Sequence, residues 1–128
     1  MKYIRKNFFV ENIRVKNLAK KFKTPIYCYS YRRLKKNINN FKKNFKSLNP
    51  LICFAVKANA NLKLLQEIKK FGLGADVVSL GELTKALKAG IQTKKIVFSG
   101  VGKTSEELGF AIDKKILLIN AESKSEVL

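Results

Sequence analysis

From residue 50 onward the chain alternates short apolar runs with longer amphipathic stretches. LICFAV (51–56) leads into NLKLLQEIKKFG (61–72), and GADVVS (74–79) into LGELTKALKAG (80–90). KIVFSG (95–100) leads into TSEELGFAIDKK (104–115), and ILLIN (116–120) into AESKSEVL (121–128). Strands alternating with helices of this length predict βαβ units and a parallel sheet. The apolar runs are near-continuous rather than alternating, as strands covered on both faces require. Ser79 to Glu82, Thr104 to Glu107 and Ser123 to Glu126 each fit a capping box at a helix start. Gly72 and Gly90 sit where helices should end in left-handed backbone. Upstream, Tyr31, Leu34, Ile38, Phe41 and Phe45 draw one apolar stripe and predict a helix over 31–46, closed off by Pro50. TPIYCYS (24–30) reads as a short strand. Residues 1–23 are less regular and read as an arm packing on something outside the chain.

Four strands cannot close a barrel, and the sequence stops at SEVL just where a capping pattern opens a helix. The expectation is an α/β fold that forms the N-terminal half of an eightfold β/α (TIM) barrel, over 24–128, behind the arm 1–23. A small complete open α/β sheet is the alternative.

Hydrophobic residues make up 46% of the chain, which suits a globular core. No apolar run approaches the roughly 20 residues of a membrane span, and FFV near the start is too short for a secretory signal. A cytoplasmic protein is expected. Cys28 and Cys53 read as small buried residues of two strands rather than a disulfide or metal pair. With no histidine, His-based triads and His-ligated zinc are excluded within this chain. The net charge of +18 is uneven: residues 1–66 hold 17 Lys/Arg and a single acid, Glu11. A small basic RNA-binding protein would show such a half. Only four of the 27 basic residues are arginine, however, which favours lysines decorating solvated helix faces over a nucleic-acid surface. GVGKT (100–104) fails as a phosphate loop, because the glycine that pattern needs falls on Val97.

Lys57 closes the run LICFAV. At a side-chain period of two it shares a face with Ala55 and Cys53, while Phe54 and Val56 point the other way. In a barrel it would project inward at the C-terminal end of its strand, the edge that carries barrel chemistry. A lysine so enclosed loses hydration, which favours the neutral, nucleophilic amine. The stretch FAVKANAN resembles the cofactor-lysine motif of pyridoxal-phosphate enzymes with an alanine-racemase-type barrel. GADVVSLGEL (74–83), KIVFSGVGKTSEEL (95–108) and INAES (119–123) follow in the family's order, and TPIYCYS resembles its lead-in strand. The continuation NANLKLL is most similar to the diaminopimelate decarboxylases. Ornithine-type decarboxylases share the layout but typically have a cysteine where Ala58 stands.

The resemblance implies that Lys57 holds pyridoxal 5′-phosphate as a Schiff base and that the reaction converts meso-diaminopimelate to L-lysine and carbon dioxide. Decarboxylases of the same fold acting on ornithine, arginine or a carboxylated polyamine remain the nearest alternatives. Asp76 matches a family aspartate near the cofactor lysine and could pair with Lys57 or order the pocket. Glu82 matches a family glutamate by the cofactor, although its place in a capping box explains it equally. Ala55, Asn59 and Ser99 fall at strand ends and either line the pocket or serve packing and capping. The family's glycine-rich phosphate loop, the acid facing the pyridine nitrogen and a C-terminal β-domain would all lie beyond Leu128. The resemblance also implies a homodimer sharing its active sites, and 128 residues alone are expected to be inactive and poorly folded.

Overall fold

A computed structural model describes residues 2–127. The chain divides between Asn49 and Pro50 into two compact units.

The first unit corrects the reading of its N-terminal stretch. Strands β1 (Lys2–Ile4), β2 (Asn7–Val10) and β3 (Ile13–Arg14) form an antiparallel meander, and helix α1 (Val15–Phe22) follows directly. The β1–β2 hairpin turns on Arg5 and Lys6, both with positive φ (42° and 63°). That is the backbone of a tight two-residue hairpin turn, built here without its usual Asn or Gly. Residues 24–30 form no strand, because no neighbour supplies a ladder; Ile26, Tyr27 and Tyr29 are exposed. The expected helix does form: α2 runs Tyr31–Asn44 and is followed by a 3-10 turn, Lys46–Leu48. Of its apolar stripe only Ile38 is buried. Its N-terminus is held twice over. Ser30 Oγ accepts from the N–H of Arg33 at 3.1 Å, and Glu11 Oε1 accepts from Ser30 Oγ and the N–H of Arg32, each at 2.8 Å. Those hydrogen bonds, that to Arg32 first, pull the Glu11 carboxyl below its ordinary range.

The second unit is the expected parallel sheet. Strands β4 (Cys53–Ala55), β5 (Gly74–Val77), β6 (Ile96–Phe98) and β7 (Leu118–Ile119) lie in sequence order, all parallel. Helices α3 (Leu62–Lys70), α4 (Leu80–Lys88) and α5 (Ser105–Asp113) make the crossovers. The register pairs Phe54 with Ala75, Ala75 with Ile96 and Val77 with Phe98, so these side chains share one face. Ala75, Val77, Ile96 and Phe98 are fully buried, together with Leu65 and Ile68 of α3, Leu83 and Ala86 of α4 and Ala111 of α5. The other face carries Cys53, Ala55, Asp76, Val97 and Leu118, none of them buried. Coverage of the described strands is thus one-sided rather than two-sided, since four strands are too few to close on themselves. Cys28 and Cys53 are both free thiols and only half-buried.

Each helix ends alike. After α3, Gly72 (φ 75°) donates to Lys69 O at 2.8 Å and Leu73 to Ile68 O at 3.3 Å. After α4, Gly90 (φ 82°) donates to Leu87 O at 2.8 Å and Ile91 to Ala86 O at 3.1 Å. These paired bonds are the Schellman motif that the two glycines predict. After α5 the same pair recurs with Lys115 (φ 52°) in the glycine position. The Ser123–Glu126 capping box does not form: Ser123 makes no side-chain cap bond, and only a 3-10 turn, Lys124–Glu126, follows.

Two substitutions should move stability in opposite directions. Lys115→Gly relieves left-handed strain and should stabilise by about 1 kcal/mol. Gly74→Ala should destabilise by about 3 kcal/mol, because a Cβ there would stand 2.1 Å from the backbone oxygen of Lys95 and 2.8 Å from Cys53 Sγ. Urea denaturation of both variants checks the signs.

Candidate functional site: the C-terminal edge of the parallel sheet

Parallel strands place all their C-terminal ends on one edge, and the predicted site residues gather there. After β4 the backbone leaves extended geometry and winds into a 3-10 turn, Val56–Ala58, that contains Lys57. Val56 is fully buried, whereas Lys57 is exposed. Lys57 departs here from its expected surroundings. It does not continue the strand alternation, and among the described residues it is exposed, its strand standing first in the order of the four. Nor does it pair with Asp76: among the described residues the Lys57 amine has neither an ion pair nor a hydrogen bond.

Asp76 lies opposite Ala55 in the register, near the end of β5. Its Oδ1 is buried without a hydrogen-bond partner. Burial, and secondarily the Asp76 charge, push the Cys53 thiol up from its ordinary range. Ala55 and Gly74 put only small groups on this face beside Asp76.

The remaining predicted residues serve the loops. Asn59 Oδ1 accepts from the N–H of Asn61 at 2.9 Å, and Asn61 caps α3 by accepting from the N–H groups of Lys63 and Leu64. Ser79 Oγ accepts from the N–H of Glu82 at 3.3 Å, but the Glu82 carboxylate reaches back to the N–H of Val78 at 2.9 Å rather than to Ser79. Glu82 is therefore a capping carboxylate in this chain. Ser99, one residue past β6, accepts from Asn120 Nδ2 at 3.0 Å, and Asn120 is likewise one residue past β7.

Two features escaped sequence reasoning. Glu107 completes the expected capping box with Thr104, and its second oxygen accepts from the N–H of Leu80 at 2.8 Å, joining the start of α5 to the start of α4. Lys103, in the loop rejected as a phosphate cradle, is buried, and its ammonium lies 2.9 Å from Glu126 Oε2. The capping pattern signals half of Glu107's role. Nothing in the local sequence signals its bond to Leu80 or the burial of Lys103.

With this geometry in hand, the comparisons decide the family. A family model described as "Pyridoxal-dependent decarboxylase, pyridoxal binding domain" matches residues 31–128. The chain belongs to this family. It is 46% identical over 119 residues to the diaminopimelate decarboxylase of Aquifex aeolicus, covering 93% of this chain and 28% of that protein. A crystal structure of diaminopimelate decarboxylase from Helicobacter pylori complexed with L-lysine superposes with a TM-score of 0.83 at 44% identity, covering 88% of this chain and 29% of that one. The M. jannaschii diaminopimelate decarboxylase in co-complex with L-lysine gives 0.90 at 39%, covering 94% and 29%. The chain thus spans about 28% of the length of the curated relatives it matches, and its parallel sheet corresponds to the N-terminal part of their pyridoxal-binding barrel. Among the described residues no helix is long and apolar enough to cross a membrane, and no cluster of metal ligands occurs. The residues on the open face fit the cofactor that the family name carries: a free amine at a strand end, an orphaned buried carboxylate oxygen on the next strand, and small neighbours beside them.

Acid should loosen the edge through Glu107. Its carboxyl is held below the ordinary value of 4.5 by the N–H of Leu80 first and that of Thr104 second. A carboxyl whose folded pKa is depressed adds stability above its unfolded pKa and loses it as pH falls through the folded value. Glu107→Gln should therefore be less stable than the parent at pH 7, and the difference should shrink as pH falls below about 4.5. Denaturant midpoints at pH 7 and pH 3 test this.

Proposed function

We propose that this chain supplies the cofactor-lysine portion of a pyridoxal-phosphate-dependent carboxy-lyase that converts meso-diaminopimelate to L-lysine and carbon dioxide. Lys57 is the covalent anchor for pyridoxal 5′-phosphate, with Ala55 and Asp76 on the same face of the sheet and Glu82 bracing the backbone after β5. One observation carries the proposal: the lysine of FAVKANAN sits at the C-terminal edge of β4 with an unpaired amine, one strand away from the orphaned Asp76 oxygen. Support for the substrate comes from the relatives' names, with identities of 40–48% to diaminopimelate decarboxylases. The viral arginine decarboxylase structure, at 24%, supports the fold alone.

Pyridoxal phosphate, when bound, supplies the conjugated ring that accepts the electron pair left as the substrate carboxylate departs. The chain's own residues shape the place where that happens. The Lys57 amine needs no internal partner broken before it reacts. Ala55 puts only a methyl group on the open face beside Asp76. Asp76 Oδ1 is a buried acceptor without a partner among the described residues, and a donor there would relieve its desolvation. Glu82 acts at one remove, by fixing the backbone of Val78 at the end of β5. A homodimer with shared sites, which the resemblance implies, belongs to the same proposal.

Incubation with pyridoxal phosphate, borohydride reduction and peptide mapping should place one cofactor on Lys57. Lys57→Ala should abolish that label. Labelling scattered over many lysines, or unchanged by the substitution, refutes the assignment.

A further inference from the structure

Lys103 is the one charged residue among the described residues that is buried. Its side chain is 1% exposed and that of its partner Glu126 10%. The catalytic reading makes no use of it. Burying an ammonium is costly unless it is paired and hydrogen-bonded, so its partners show what the burial accomplishes. Its Nζ donates to the backbone oxygen of Gly100 and meets Glu126 Oε2 at 2.9 Å. Glu126 Oε2 also accepts from the N–H of Glu122 at 3.0 Å. The ammonium thereby closes its own β6–α5 loop, residues 99–104, and ties it to the segment that follows β7. The Asn120–Ser99 hydrogen bond joins the same two segments at a second point. Two ties fix the relative orientation of two loops, where one would leave a pivot.

The loop cannot yield easily on its other side. Gly100 (φ 107°) sits so close to Val78 that a Cβ would stand 3.1 Å from the Val78 Cβ. Glu107 then links the start of α5 to Leu80 at the start of α4. The starts of α4 and α5 are thus joined by one carboxylate, and the loops after β6 and β7 by two side-chain bonds, along the edge at which Lys57 emerges after β4.

We infer that Lys103 is a positioning residue: paired with Glu126, it locks the loops after β6 and β7 into one body at the edge proposed to hold the cofactor. The inference rests on that functional reading only for its consequence at the cofactor, not for the lock itself.

The test is hydrogen exchange on the intact protein, comparing the parent with Lys103→Met, Glu126→Gln and the double variant. Each single variant should speed exchange at residues 100–104 and 122–127 about tenfold, leaving Ala75–Val77 and Ile96–Phe98 protected, and the double variant should add little to either. Pyridoxal 5′-phosphate, titrated by its absorbance, should bind each single variant about threefold or more weakly while still labelling Lys57. Several results overturn the lock: unprotected loops in the parent, no change in the singles, additive effects in the double, or faster exchange spread evenly over the strands. Loosened loops with unchanged cofactor affinity overturn the positioning role. A parent protein that takes no label at Lys57 refutes the functional reading instead, while the exchange data still decide the lock.

Discussion

Two strands can pair in parallel only if the chain crosses back over the sheet between them. Helices α3, α4 and α5 make that return three times, each from the C-terminal end of one strand to the N-terminal end of the next. Everything else about the second unit follows from this. The helices all lie against the face of Ala75, Val77, Ile96 and Phe98, which is where the core sits. The helix starts, with their unsatisfied N–H groups, all lie at the edge where the strands end. A residue just past any strand is therefore a neighbour of those past the others, however far apart in sequence. Ser99 meets Asn120 across 21 positions for this reason, and Glu107 reaches Leu80 across 27.

That crowding creates a polar problem which the sequence solves with few acids. The chain has only nine Asp and Glu against 27 Lys and Arg, so carboxylates cannot be spread over many surface pairs. Glu82, Glu107 and Glu126 all accept from backbone N–H groups at this edge, and Glu11 does the same at the start of α2. A carboxylate shared between backbone donors of two elements is a more specific constraint than an exposed ion pair, whose net worth is small. The excess lysines, by contrast, mostly sit on exposed positions and specify nothing about the fold.

Sequence patterning made the second unit legible because its signals are local. Apolar runs, capping residues and Gly72 and Gly90 each report on backbone a few residues away, and the helices, the parallel sheet, one expected capping box in full and the Ser79 half of a second follow from them. The family resemblance rested on the same region, and the comparisons agree with it. What patterning missed has a physical reason in each case. The β1–β2 hairpin turns on Arg5 and Lys6, which tolerate left-handed backbone at a cost and so give no turn signal. Lys115 hides a helix end in the same way. TPIYCYS has strand composition, but a strand exists only where a partner ladder does. Ser123 and Glu126 have capping spacing, yet Glu126 is committed to Lys103, a partner 23 residues away that no local pattern names. The site residues divide on the same line: Asn59 and Glu82 turned out to serve the local backbone, whereas the surroundings of Asp76 depend on register between strands.

The exposure of Lys57 also follows from the sheet. Its nearest chain neighbour on the open face, Ala55, is too small to shield an amine, and the adjoining strand offers Gly74 and Asp76. Shielding along the sheet plane is available from one side only, since β4 is an edge strand among those described. Among the described residues the amine is therefore left exposed. In the reading proposed above, Lys57 would hold a cofactor that brings polar groups to this edge, whereas an apolar side chain laid there would leave the Asp76 oxygen orphaned. Within that proposal the one unsatisfied carboxylate oxygen favours a polar occupant over ordinary core packing.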